Sequence, residues 1–419
     1  MSTKPTTPRG MHDLFGSKLD TYTALATLCF DKAARFGCQS IQTPILESMN
    51  VFKRTLGETS DVIGKEMYVL EDRGGDLLAL RPEGTAPVVR ALINHSIATQ
   101  NPQTRWAYYG PMFRYERPQR GRLRQFHQFG VESFGIDDPF HDAEIIYLGH
   151  SLLKDLGLEG LYTLEINTLG DLDSRLSFRQ ALIEYFTKYK EELSSDSKER
   201  LEKNPLRILD SKDQKDQEIA KNAPDFKDYL SKDSGNYFEK VQKALELLKV
   251  PFVLNKNLVR GLDYYTHTAF EFTTPHLGAQ ATILAGGRYN GLMKQLGGPD
   301  ISGIGFAIGV DRILELPCML PVKKLLKVSL MCLSEQEFEP LFILSQKLKD
   351  YPFEVNTHYS FNLGKNLKKA DKEGAVFALI LGEDELKEGK ILVKNLDLGT
   401  QELVLIESLP AYLLTLNKD

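Results

Sequence analysis

Residues 18–36 (KLDTYTALATLCFDKAARF) place apolar side chains at helical spacing, and Gly37 follows where a helix-ending glycine belongs. The next run, SIQTPILE, predicts a strand interrupted by Pro44, a residue tolerated mainly at sheet edges and bulges. Over the following hundred residues, strand-like runs (MYVL, DLLAL, RWAYYG, QFHQFGVESFG) are interleaved with helical ones (TAPVVRALINHSI, AEIIYLGHSLLKDLG). Strands with helices inserted between them, without a regular βαβ alternation, predict an α+β fold whose mainly antiparallel sheet is flanked by helices.

The texture changes at about 172–250. Lys, Asp and Glu dominate there, in long helical patterns such as FRQALIEYFTKYKEEL and YFEKVQKALELLKV. This reads as a helical insertion, because the glycine-rich, aromatic texture resumes at 258–312. A second boundary falls near LPCMLPVKK. Beyond it come a strand (KVSLMCL), a helix (EQEFEPLFILSQKLKD), a helix around KNLKKADKEG, a strand (AVFALILG) and terminal strands (ILVKNL, ELVLIES). That order predicts a small separate α/β domain, dividing the chain into 1–325 and 326–419.

Composition narrows the class. Across 419 residues, 42% hydrophobic and 26% charged content excludes a wholly disordered chain. The net charge of −5 means that any polyanionic partner must meet a local basic patch. Four scattered cysteines without a CxxC pair form neither a disulfide framework nor a zinc spacing, which suits a reducing cytoplasm. No apolar stretch approaches a membrane span, and the N-terminal residues lack the apolar core of a signal peptide.

No GxxxxGK[ST] loop and no HExxH occur, and GIGFAIG (303–309) lacks dinucleotide-fingerprint spacing, so its glycines read as close strand–helix packing. The densest chemistry is YYGPMFRYERPQRGRLRQFHQFGVESFG, residues 108–135, with Arg114, Arg117, Arg120, Arg122 and Arg124 within eleven positions. Arg117 to Gly121 read as a turn between two aromatic-rich strands. Strand alternation would put Arg114 and Glu116 on one face, and Gln128, Gly130 and Glu132 on one face of the return strand. Such a floor of fixed charges suits a phosphate together with a small donor-rich substrate, although a solvated sheet face is the plainer alternative for an arginine-rich hairpin. RPEGTAP adds Glu83 and Thr85 near a helix start. LVRGLDYYTHTAFEF adds Arg260, Asp263, Tyr264 and Tyr265, and AGGRYNGLMKQLGG adds Arg288.

Together these segments resemble the class II aminoacyl-tRNA synthetases, and within them the histidyl-tRNA synthetase family. Phe113-Arg114-Tyr115-Glu116 with Arg122 and Phe126 is similar to the family's second signature motif, and GIGFAIGVDR ending in Arg312 to its third. Residues 18–47 with Pro44 are similar to the first, dimer-forming motif. LVRGLDYYT and AGGRYNGL are similar to the two histidine-specific segments, and NPLRILDSK and LGEDELKEGK to further family blocks. The resemblance runs from Pro8 to the end of the chain. The chain departs from the pattern in PRGMHDLFG, in Asp311 where Glu is commoner, and in His267 where Arg, Lys or Gly is usual.

The resemblance implies a class II antiparallel sheet, a helical insertion and a C-terminal anticodon-binding domain. It implies activation of L-histidine by ATP, carried with Mg2+ and without a tightly bound metal of the protein's own, followed by transfer to tRNA-His by a cytoplasmic homodimer. In that scheme Arg114 holds the α-phosphate and Arg312 the γ-phosphate. Glu116 and Phe126 fix the adenine, with Arg122 also on ATP, and Arg260 bridges the substrate carboxylate and the α-phosphate. Glu83, Thr85 and Gln128 bind the α-amino group, while Glu132, Tyr264 and Tyr265 read the imidazole. Arg117 and Gln119 face the tRNA acceptor end. The competing class is a catalytically inactive relative, such as a regulatory subunit of ATP phosphoribosyltransferase. It is disfavoured because Arg114, Glu116, Arg260 and Arg312 are all present and a terminal domain follows.

Overall fold

The first helix forms over Ser17–Arg35, burying Tyr22, Leu25, Cys29 and Ala33 along one stripe, and Gly37 ends it at φ 77°. The computed structural model describes residues 4–56, 65–209, 211, 213–258, 264–278, 281–321 and 325–416. The chain divides into two compact units, Met1–Pro321 and Val322–Asp419.

In the first unit the strands are β1 (Gln39–Ser40), β2 (Leu46–Ser48), β3 (Val69–Glu71), β4 (Leu77–Leu80), β5 (Thr104–Phe113), β6 (Gln125–Phe134), β7 (Thr163–Thr168), β8 (Val253–Leu254), β9 (Thr266–Thr273), β10 (Thr282–Arg288) and β11 (Gly303–Gly309). Eight of them form one sheet in the order β1-β5-β6-β11-β10-β9-β7-β8. Its inner pairs are antiparallel, and only the edge pairs β1–β5 and β7–β8 are parallel. β2, β4 and β3 form a small separate sheet.

Alternation along β6 assigns the two faces of the large sheet. Phe129 and Val131 enter a core shared with Ser17–Arg35 and with the helix Pro139–Asp155, which opens on an Asp138 cap followed by Pro139. The opposite face carries Gln128, Gly130 and Glu132, beside a second core of Tyr108, Met112, Tyr264, Tyr265, Tyr289 and the helix Thr85–Asn94.

The insertion is helical as its composition predicts, but its own small core is built from residues 178–229. Its last helix, Lys232–Leu247, instead sends Val241, Ala244 and Leu245 into the main core. A charged outer face hides that membership in the sequence.

The second unit holds β12 (Leu326–Cys332), β13 (Phe353–Thr357), β14 (Phe377–Leu381), β15 (Lys390–Asn395) and β16 (Gln401–Leu405), in the order β13-β12-β14-β15-β16. β12 is parallel to both its neighbours, and helices Phe338–Leu348, Leu363–Lys372 and Leu409–Leu416 accompany the sheet. Two of these elements were not expected from the pattern. β13 alternates Glu354 and Asn356 with only two apolar residues, and Leu409–Leu416 follows ELVLIES, beyond which the pattern assigned no element. Among the described residues, no helix is long and apolar enough to cross a membrane.

Candidate active site

β5 and β6 pair over their full lengths, from Thr104–Phe134 to Phe113–Gln125. β5 therefore ends at Phe113, and Arg114 and Glu116 lie on the connecting loop rather than on a strand face. They still face one another, 3.9 Å apart, because the loop folds back: Gln119 and Arg122 exchange backbone hydrogen bonds, and Gly121 takes φ 67° at the tip. Glu116 is buried in an ion pair with Arg122, and Arg114 donates from Nε to the Pro82 carbonyl at 2.9 Å. The Arg114 guanidinium lies 5.3 Å from the centre of the Phe126 ring.

These groups line a cavity of about 310 Å3. Glu83, Thr85, Gln128, Tyr264, Tyr265, Thr282 and Arg312 line it as well, so residues from five separate stretches of sequence converge there. Arg117 and Gln119 do not line it and are exposed on the loop. Arg260 and Asp263 lie outside the described residues. Arg288, which the sequence placed beside the site, is fully buried and spent on Asp142, the Ile136 carbonyl and Asn290. It holds the sheet rather than a ligand.

One end of the cavity is cationic. Arg312 follows β11 on a short helix and donates to the carbonyls of Gly121 at 3.0 Å and Thr282 at 2.8 Å. Burial, with the like charges of Arg114 and Arg122, pulls its guanidinium down to about 10. A guanidinium held against the like charges of two neighbouring arginines gains from a polyanion placed among them.

The other end is polar, aromatic and nearly closed. Glu132, 1% exposed, stands behind the lining rather than on it. It accepts hydrogen bonds from the Thr85 hydroxyl at 2.6 Å, from Tyr108 at 3.5 Å and from Tyr289. Glu83 accepts the Thr85 and Ala86 amides at 2.6 and 2.9 Å, fixing the start of helix Thr85–Asn94. Tyr264 and Tyr265 pack with ring centres 4.6 Å apart, and both meet Tyr289 edge-on. Gln128 points a buried Oε1 with no hydrogen-bond partner, an acceptor left for a ligand.

Several of these supports were not foreseen. Tyr108 fits only because Gly84 and Gly130 flank it: a Cβ at either would come within 2.2 Å of its ring. A Cβ at Gly305 would sit 2.0 Å from Glu132 Oε2. Arg81, 4% exposed, braces β5 from behind by donating to the Pro111 and Thr43 carbonyls. Gly130 and Gly305 within strands, and Arg81 and Gly84 in the turn before helix Thr85–Asn94, carry no periodic signal. The only available cue was their density.

Burial pushes the Glu132 carboxyl up to about 8, against the lowering pull of Thr85 and Tyr289 and with a further upward push from Glu83. The folded protein thus keeps a proton that the unfolded chain releases above about pH 4.5. The stability this contributes is fully present below that pH and is lost as pH rises through about 8. In the absence of ligand, the melting temperature should fall between about pH 5 and 8.5, and Glu132→Gln should flatten the fall. Equal slopes for both proteins would show that Glu132 titrates like an exposed carboxylate.

With that geometry established, residues 10–313 match the family model described as histidyl-tRNA synthetase, which covers well over half of the chain. The chain belongs to the histidyl-tRNA synthetase family. Residues 327–416 match the model described as anticodon binding domain. The chain is similar to proteins named histidine–tRNA ligase from Rhodospirillum rubrum, at 45% identity, and Gluconacetobacter diazotrophicus, at 44%, each alignment covering 97% of both chains. Its fold is similar to that of the apo histidyl-tRNA synthetase of S. aureus, with a TM-score of 0.82, 34% identity, and coverage of 98% of this chain and 99% of that one. The antiparallel sheet flanked by helices, followed by an α/β domain, is the class II architecture that the motifs implied. One departure from the family pattern has a visible backbone consequence: His267 takes φ 45°, where glycine would be unstrained.

Proposed function

We propose that this protein is an ATP-dependent histidine–tRNA ligase whose active site is the cavity lined by Glu83, Gln128, Tyr264, Arg114 and Arg312. A carboxylate oxygen of L-histidine attacks the α-phosphorus of ATP, forming histidyl-adenylate as pyrophosphate leaves with the bridging oxygen. A hydroxyl of the 3′-terminal ribose of tRNA-His then attacks the histidyl carbonyl, and AMP departs. The observation that carries the reading is one cavity lined by Arg114, Arg122 and Arg312 and by Glu83, Thr85, Tyr108, Tyr264 and Tyr265, with the buried Glu132 carboxylate bonded to Thr85 and Tyr108 directly behind that lining. A pocket built around such a group selects a donor-bearing imidazole over apolar side chains of similar size.

Glu132 with Tyr264 and Tyr265 receives the imidazole, and Glu83, Thr85 and the unpartnered Gln128 oxygen receive the α-amino group. Arg114 and Arg312 take the α- and γ-phosphates, Glu116 and Phe126 the adenine, and Arg122 steadies Glu116. Arg260, by resemblance, adds charge at the α-phosphate. ATP enters as its Mg2+ complex, held largely by phosphate oxygens. Among the described residues, no cluster of His, Cys, Asp and Glu could hold a metal by itself. Arg117 and Gln119, exposed on the loop, face the acceptor end of tRNA.

We further assign 1–325 to adenylate chemistry and 326–419 to the anticodon. Lys365, Lys368, Lys369 and Lys372 are all exposed along one side of helix Leu363–Lys372, whose opposite side buries Asn366 and Ala370. A homodimer has a suitable surface: Ile45, Leu46, Val69, Leu70 and Leu77 are exposed on and beside the small sheet. The work of such an enzyme belongs in the cytoplasm. Charging of unfractionated tRNA with labelled histidine tests the function. Label should accumulate on tRNA-His alone, and no ATP-dependent labelling, or labelling of other tRNAs, would overturn it.

A further inference from the structure

The β6–β11 ladder ends at the Gln128–Gly309 pair, where the chain turns into the short helix Val310–Ile313 that carries Arg312. The next amide along β6, that of His127, therefore has no strand partner on that side. Asp311 fills the place: its Oδ2 accepts the His127 N–H at 2.6 Å. Its Oδ1 accepts the Tyr22 hydroxyl at 2.8 Å, from the second turn of helix Ser17–Arg35. Tyr22 in turn meets the His127 ring edge-on at 5.3 Å, and Tyr109 stacks on that ring at 5.8 Å. Three elements remote in sequence are thus tied at one carboxylate, which itself lines the cavity next to Arg312.

We infer that Asp311 is a positioning residue for ATP: it pins the Arg312 helix to β6 and to helix Ser17–Arg35, so that the arginine meets the phosphates at a fixed place. This rests on the cavity being the ATP site. Both bonds are made to the two oxygens of one carboxyl group, so a single side chain holds both elements. Burial together with the Asp311 charge pushes the Tyr22 hydroxyl up, so it stays protonated and serves only as donor to this oxygen. Asp311 also sets a negative charge beside a guanidinium that Arg114 and Arg122 repel, which favours keeping Arg312 charged before ATP arrives.

The test is steady-state pyrophosphate exchange by the full-length protein, with Asp311→Ala, Asp311→Asn, Tyr22→Phe and the double variant Tyr22→Phe/Asp311→Ala. Losing a hydrogen bond to a charged group costs roughly tenfold or more. Asp311→Ala should raise KM for ATP by about that factor while KM for histidine stays within about twofold. Asp311→Asn and Tyr22→Phe, which each spare one contact, should show smaller rises in the same direction. The double variant should be no worse than Asp311→Ala, because Tyr22 acts through that carboxylate. KM values for ATP and histidine that rise together, or a lowered melting temperature with both KM values unchanged, would overturn the inference. If Asp311→Ala does not fold, Tyr22→Phe and Asp311→Asn still separate these outcomes. Wild-type protein without histidine-dependent exchange would instead refute the proposed function.

Discussion

Arg114→Ala is expected to lower histidine-dependent pyrophosphate exchange by about 10²–10³-fold, the usual cost of removing a fixed donor to charge developing in a transition state. The guanidinium is already oriented by the Pro82 carbonyl, by Glu116 and by the face of Phe126. Little rearrangement is then needed as the α-phosphate passes through its transition state. Arg114→Lys should recover only part of the loss, since an ammonium cannot keep the planar fork. ATP binding in the ground state should weaken much less than kcat falls. A variant that exchanges at the wild-type rate would show that Arg114 serves only to shape the loop. Arg260→Ala should behave alike, on the resemblance alone.

A chain ending at residue 325 should keep histidine-dependent exchange yet charge tRNA at least about a hundredfold more slowly. The described residues that line the cavity all lie between Glu83 and Arg312. The apolar clusters of the first unit use residues up to Leu320, and those of the second begin at Leu326. Reversing the charge of Lys365, Lys368, Lys369 and Lys372 should give a milder, strongly salt-dependent form of the same defect. Unimpaired charging by the shortened chain would remove 326–419 from tRNA binding.

The fold and much of the cavity lining were legible for different reasons. The arginine-rich hairpin announced itself by composition and by alternation, which put Gln128 and Glu132 on one face. The same alternation failed at Arg114 and Glu116, since β5 stops one residue earlier and a loop brings the two together. What holds the site was harder to read. Arg81, Tyr108, Tyr289 and Asp311 each act on partners distant in sequence, as with His127 and Asp311, 184 positions apart. Only the folded chain brings such pairs together. Arg288 shows the converse: an arginine in a glycine-rich, site-like segment was claimed by Asp142, because a fully buried guanidinium needs a carboxylate. In the second unit, β13 was missed because a five-residue parallel strand with only two apolar residues, Phe353 and Val355, has no continuous apolar run and alternates too briefly to stand out.

The most direct test of the account is exchange of labelled pyrophosphate into ATP by the full-length protein, measured with each of the twenty amino acids in turn. Exchange with L-histidine alone is the predicted result, with Glu132→Ala raising KM for histidine far more than KM for ATP. Exchange with a different amino acid, or none with histidine, would contradict it.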